Sequence, residues 1–228
     1  MSITDNLKKV HEKIVAAAHR SGRNPSAVSL VVVTKTIDVE RIREAVEAGA
    51  LMLGENRVQE AKEKIEKLGQ IADWHLIGHL QVNKAKYAVK LFPLIHSVDS
   101  LDLAKEIDKQ AAKIGKVQDI LVEVNIAGES SKAGVAIDSA LELIKGTSAL
   151  KNVAVKGLMT MPPYSANPED SRPFFRQLRD LASSIERENI PMVSMQELSM
   201  GLSGDFEVAV EEGATMVRVG TAIFGRRT

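Results

Sequence analysis

The apolar positions of this chain follow two alternating rhythms. Short runs of valine, isoleucine and leucine read as buried strands, and longer stretches with apolar residues every three or four positions read as amphipathic helices. The first stretch is helical: over residues 3–20, Leu7, Val10, Ile14, Val15 and Ala18 share a face, with Ser2 or Thr4 as N-cap and Gly22 as terminator. A β-branched run follows at 29–36, SLVVVTKT, and ends abruptly in a lysine. If this is a strand, Val31, Val33 and Lys35 lie on one face and Leu30, Val32 and Thr34 on the other. Lys35 thus follows the core face of its own strand.

The alternation then repeats. Asp38 caps a helix with Ile42, Ala45 and Val46 on its apolar face and Gly49 at its end, followed by a strand at 51–53. Helices are predicted at 56–68, 82–91, 100–114, 136–145, 171–188 and 205–212, with strands at 74–77, 94–98, 120–124, 153–158, 194–198 and 216–219. The loop 125–134 is long, polar and charged, a solvated surface or a mobile lid. The segments 45–52 (AVEAGALM) and 209–216 (AVEEGATM) echo each other as the same helix end, glycine stop and strand start. Eight strands alternating with helices, with no Pro/Gly/Ser-rich linker between them, imply parallel strands and helical crossovers. The expected fold is α/β: a closed (β/α)8 TIM barrel with an extra N-terminal helix, one domain over residues 1–228, with an open doubly wound sheet as the alternative.

Composition narrows the function. Lys+Arg and Asp+Glu both number 30, so no overall field favours nucleic acid or a membrane surface. No apolar run approaches a membrane span, and the N-terminus lacks the apolar core of a signal peptide, so a cytoplasmic protein is expected. The absence of cysteine removes disulfides, thiolate metal sites and cysteine nucleophiles together.

A barrel gathers its chemistry at the carboxyl ends of its strands. The candidates there are Lys35, the segment 54–56 ending in Asn56, Gly78 with His79, Ser97, Asn125, Met159 with Thr160, the run Ser199, Met200, Gly201, and Arg218 with Gly220 and Thr221. A lysine at a strand end is often only a solvated cap. A partly desolvated one is pushed toward the neutral amine that attacks an aldehyde. The glycine-broken turns after the seventh and eighth strands suit a phosphate held on backbone N–H groups, with Ser199 and Thr221 adding hydroxyls; two ordinary tight turns are the alternative. Amine and phosphate cradle together suggest a ligand with both an aldehyde and a phosphate, of which pyridoxal 5′-phosphate is the obvious one. Arg218 would then face the ligand ring or its phosphate, or else form a plain ion pair with a helix carboxylate. An arginine at the pyridine nitrogen would keep that nitrogen unprotonated and weaken the ring as an electron sink. His75 and His79 are too far apart on an extended strand to share a metal, and no nucleophile elbow, Walker loop or dinucleotide fingerprint occurs. The methionines read as core filler, with Met159 and Met200 able to pack against a ligand ring.

The segments VTK (33–35), GENRVQE (54–60), HLIGHLQ (75–81) with Asn83 and Lys84, GLM (157–159), LSMG (198–201) and VRVGTAIFG (217–225) resemble the pyridoxal-phosphate homeostasis protein family over nearly the whole chain. Small departures are Val82, where the family more often has a polar residue, and Leu202, where methionine is common. The resemblance implies the barrel of the alanine racemase N-terminal domain, a covalent aldimine on Lys35, phosphate contacts from Ser199, Gly201, Gly220 and Thr221, and Arg218 and Asn56 near the cofactor. Related racemases take a second acid/base tyrosine from a C-terminal β domain, which the resemblance does not extend to here; the tyrosines of this chain are Tyr87 and Tyr164.

The leading reading is therefore a pyridoxal-phosphate binding protein, a monomer that holds the cofactor reversibly and supplies it to pyridoxal-phosphate-dependent apoenzymes without clear turnover. The alternatives are a weak racemase-like enzyme using Lys35 with Tyr164 or water, and a Schiff-base aldolase, for which Glu55 is the one nearby carboxylate.

Overall fold

The computed structural model describes residues 2–129 and 132–225. Helix α1 (Ile3–Arg20) opens on a capping box, in which Asp5 N–H donates to Ser2 Oγ at 3.0 Å and Ser2 N–H to Asp5 Oδ2 at 3.3 Å. Then come β1 (Ser29–Val33), α2 (Val39–Glu47), β2 (Met52–Glu55), α3 (Val58–Leu68), β3 (Asp73–Leu76), α4 (Ala85–Leu91), β4 (Leu94–Val98), α5 (Leu101–Ala112) and β5 (Gln118–Asn125). The chain continues through β6 (Val135–Ala136), α6 (Ile137–Ser148), β7 (Val153–Met159), α7 (Arg172–Glu186), β8 (Val193–Ser199), α8 (Phe206–Glu211), β9 (Met216–Val219) and α9 (Thr221–Phe224).

The pairing runs β4-β3-β2-β1-β9-β8-β7-β5, all parallel, and β4 also pairs with β5. That last pairing closes the sheet into an eight-stranded barrel and rules out the open doubly wound alternative. The short β6 adds to β5 outside the ring.

Alternation along the strands sorts the core into two layers. Leu30 and Val32 of β1 face outward and pack with Ile42 and Ala45 of α2 in the shell between strands and helices. Val31 and Val33 face inward with Ile77, Leu94, Leu121, Met159 and Met216. Each such side chain contributes roughly 1.5–3 kcal/mol by leaving water. β5 extends beyond the apolar run 120–124 because its polar first residue is paired: Gln118 Nε2 donates to the carbonyls of Phe92 at 3.2 Å and Pro93 at 2.8 Å. The segment 82–91 begins as a 3-10 turn over Val82–Lys84 before α4.

Candidate functional site at the barrel mouth

β1 ends at Val33, and the chain turns through Thr34, Lys35 and Thr36, the last at a left-handed φ of 63°. Such a conformation is costly for a β-branched residue and persists only where its surroundings fix it. Here they do so through β2 and α3. Thr34 Oγ1 donates to Glu55 Oε1 at 2.6 Å, and Thr36 N–H donates to Glu60 Oε1 at 2.5 Å. Lys64 Nζ reaches the Thr34 carbonyl, Glu55 Oε1 and Glu60 Oε1, each at 2.7 Å. Burial pushes the Glu55 carboxyl up, against the pull of Lys64 and Thr34. At Glu60 burial also raises the pKa, but Lys64 and the Thr36 N–H outweigh it and hold the carboxyl low. The half-buried Lys35 therefore stands on a turn gripped from below, on the parity of Val31 and Val33.

Beside β1, the ends of β8 and β9 form a glycine-broken floor. Gly201 has φ +93°, and a Cβ there would lie 2.5 Å from Ala209 Cβ. A Cβ on Gly220 would lie 3.2 Å from both Cβ and O of Val33, so the β9 end approaches the strand that leads to Lys35. Ser203 Oγ accepts from the N–H groups of Gly220 at 3.2 Å and Ala222 at 3.3 Å, placing a hydroxyl at the start of α9. Thr221 is exposed at the same point. Ser203 was not among the sequence candidates, although its glycine-broken turn was; its role becomes visible only once β9 lies beside β8.

Inside the barrel runs a row of buried polar side chains. Arg218 of β9 donates from Nη1 to Ser199 Oγ and from Nη2 to the Thr160 carbonyl at 2.8 Å. Ser199 Oγ lies 2.9 Å from His96 Nδ1, and His96 Nε2 lies 3.0 Å from His75 Nδ1. Burial pushes Arg218 down to about 10, against Glu123 and Asp205, which leaves it charged at neutral pH. No helix carboxylate forms an ion pair with it among the described residues. Glu123, near the end of β5, is pushed up to about 7 by burial and by Asp99, with Arg218 opposing. In the ring of eight strands β5 stands across from β1, the strand that leads to Lys35.

The remaining sequence candidates divide. Asn56 and Gly78 meet at the mouth, where a Cβ on Gly78 would lie 2.5 Å from the Asn56 carbonyl. Ser97 donates to the Gly78 carbonyl at 2.7 Å, a bond that shapes this contact. Met159 is fully buried in the inner layer beneath the mouth. Met200 requires a correction: its side chain packs in the outer shell and its N–H donates to Met216 O at 3.1 Å, so it does not face the mouth. The Ser199 hydroxyl, on the opposite face of the chain, turns into the barrel toward His96 and Arg218 rather than toward the floor at Gly220. His79 sits on the rim, with Nδ1 3.8 Å from Asp99 Oδ2, in a groove shared with Asn56, Arg57 and Lys84. Tyr164 is 95% exposed and turned to solvent. Of the loop 125–134, residues 130 and 131 lie outside the described set; Asn125 Nδ2 closes its near end on the Glu129 carbonyl at 2.8 Å. Among the described residues no group of three or more metal-ligating side chains converges, and no helix is long and apolar enough to cross a membrane.

A closed barrel with a lysine at the end of β1 and glycine-rich turns after its last two strands defines a class, and comparison with known proteins agrees. The model of the alanine racemase N-terminal domain family matches residues 6–228. The chain belongs to this family and, within it, to the pyridoxal phosphate homeostasis proteins. It is 49% identical to the protein of that name from Aquifex aeolicus over 228 residues, covering 100% of this chain and 99% of the relative. Its identity to the Escherichia coli K12 protein of the same name is 36%, over 99% and 97% of the two chains. Among solved structures, PipY of Synechococcus elongatus with pyridoxal phosphate bound superposes with a TM-score of 0.85 at 36% identity, covering 98% of this chain and 100% of PipY. An alanine racemase of Clostridium difficile shares the fold, with a TM-score of 0.76 at 15% identity, covering 98% of this chain and 57% of the racemase.

Proposed function

We propose that this protein binds pyridoxal 5′-phosphate at the barrel mouth, holds it in a reversible Schiff-base linkage to Lys35, and releases it to apoenzymes that require it. The observation that carries the reading is the pairing of β1 with β9, which sets the Lys35 turn beside the Gly220 turn. The aldehyde and phosphate arms of pyridoxal phosphate leave neighbouring ring carbons, so adjacent strand ends suit them. In this reading Lys35 Nζ takes the aldehyde carbon with release of one water. The Ser203 hydroxyl and the backbone at Gly201, Gly220 and Thr221 take the phosphate, in the manner of other barrel phosphate sites. Arg218 donates to the pyridine nitrogen, while Asn56 and Met159 line the ring. The relative PipY, with pyridoxal phosphate bound, supports the choice of ligand.

When bound, the cofactor supplies an electron sink, and an arginine donating to its nitrogen weakens that sink. That favours holding over turnover. The decisive test is transfer: loaded protein mixed with an apo-aminotransferase is expected to restore transaminase activity while losing its own cofactor absorbance, and an absence of transfer contradicts the carrier role. A second reading, slow proton exchange on amino acids, has one observation in its favour. The buried Glu123, on the strand opposite β1 and near Arg218, is able to hold or accept a proton near neutrality. Deuterium exchange at the α-carbon that is fast and falls at least about tenfold in Glu123→Gln would establish it; exchange no faster than with free cofactor would exclude it.

A further inference from the structure

The buried row behind Arg218 has a definite direction. An arginine carries only N–H donors, so Ser199 Oγ must accept from Arg218 Nη1. Ser199 is fully buried, and its own proton needs an acceptor. Among the described residues the acceptor within reach is His96 Nδ1, at 2.9 Å. His96 Nδ1 is then bare and its ring proton sits on Nε2, which donates to His75 Nδ1 at 3.0 Å. His75 in turn keeps its proton on Nε2. Every bond leads away from Arg218, across the barrel from β9 and β8 to β4 and β3.

We propose that Ser199, His96 and His75 form a one-way donor chain that fixes the Arg218 guanidinium toward the barrel mouth, with His96 as its positioning residue. A free arginine side chain has considerable rotamer freedom to lose, and two fixed acceptors, Ser199 Oγ and the Thr160 carbonyl, remove that freedom in advance. A serine that hands its proton onward is also a stronger acceptor, because hydrogen bonds in a chain polarise one another. The chain requires neutral imidazoles, since a protonated His96 would leave the Ser199 proton without an acceptor. Burial keeps them neutral: it pushes His75 down to about 4 against Asp73, and burial together with His75 and Arg218 holds His96 well below the usual range.

The inference rests on the pyridoxal-phosphate reading only for what Arg218 meets at the mouth, so its test begins without cofactor. Ring-nitrogen chemical shifts in the full chain are expected to show both His75 and His96 as the neutral Nε2–H tautomer from pH 8 to pH 5. In His96→Leu the Ser199 proton loses its acceptor, which weakens the hold of Ser199 on the charged Arg218, and the Arg218 Nη protons are expected to exchange with solvent at least about tenfold faster. His96→Asn retains a carbonyl able to accept from Ser199 and is expected to restore slow exchange. Ser199→Ala should loosen Arg218 while leaving the His75–His96 pair intact, which covers the case of a leucine variant that does not fold. An Nδ1–H tautomer at His96, a His96 that titrates within this range, or unchanged Arg218 exchange in both His96→Leu and Ser199→Ala overturns the proposal. Added pyridoxal phosphate then reads the functional link separately. Affinity about tenfold weaker in His96→Leu but near normal in His96→Asn supports it, and no binding to the unmodified protein defeats the functional reading while the nitrogen shifts still decide the chain.

Discussion

Glu123 shows how far a single side chain depends on strands distant in sequence. Within its own run, ILVEV, it is a lone carboxylate among apolar residues with no partner in the local sequence, and barrel closure buries it near Asp99 and Arg218 and pushes its carboxyl from 4.5 up to about 7. A carboxylic acid whose folded pKa is raised binds more protons in the native than in the unfolded chain between those two values, so its effect on stability becomes increasingly unfavourable as pH rises from about 4.5 to 7. Glu123→Gln is therefore expected to stabilise the cofactor-free protein at pH 8, by at most about 3 kcal/mol, and to change little at pH 4. Urea unfolding at the two pH values checks this, and an equal effect at both would refute it. Lys35 was legible as a candidate because it follows an apolar run, and Arg218 because it interrupts the last apolar strand two residues before the Gly220 turn. Glu123, His96 and Ser203 were not, because their partners arrive from other strands.

Among the elements, α3 does more than cover the barrel. Its buried Lys64 ties the carbonyl before Lys35 to Glu55 and Glu60, so helix, strand end and turn form one unit. Lys64→Met would leave Glu55 buried without its cation, at a cost of about 3–5 kcal/mol, whereas the double change with Glu55→Gln should recover much of that loss. Thermal denaturation of the single and double variants measures the difference, and equal destabilisation would show that the cluster is not coupled. The internal echo was legible because it is physical: Ala50 N–H bonds Ala45 O and Gly49 N–H bonds Val46 O, while Ala214 and Gly213 repeat the pattern on Ala209 and Val210. Both glycines take the left-handed conformation that ends such helices, with φ of 103° and 109°. The boundaries of β2 and β5 were less legible, since Glu55 and Gln118 are polar residues whose partners lie on α3 and on the chain between α4 and β4.

For the molecule as a whole, α1 links the chain's beginning to its last two β/α units. Asn6 Nδ2 donates to the Ile223 carbonyl at 2.9 Å, Arg23 bonds the carbonyls of Val210 and Ala214, and Lys13 and Arg20 pair with Glu207 and Glu211. The buried face of α1, including Leu7, packs in the same outer core as Phe206 and Phe224. Leu7→Ala is expected to cost about 2–5 kcal/mol and, if the proposed phosphate site lies at the turns after β8 and β9 that share that core, to weaken pyridoxal-phosphate binding. Calorimetry alongside a cofactor-binding titration checks both effects, and lost stability with unchanged binding would show that the two are separate. The alternating pattern made the parallel β/α architecture legible, while the choice between closed and open sheets rested on the β4–β5 pairing that no local pattern records. The most direct test of the account is the visible absorption spectrum of the protein with pyridoxal phosphate, before and after borohydride, beside Lys35→Ala. The account predicts a yellow chromophore that borohydride bleaches into a permanent adduct and that the variant lacks; no chromophore in the unmodified protein, or one that survives intact in Lys35→Ala, would contradict it.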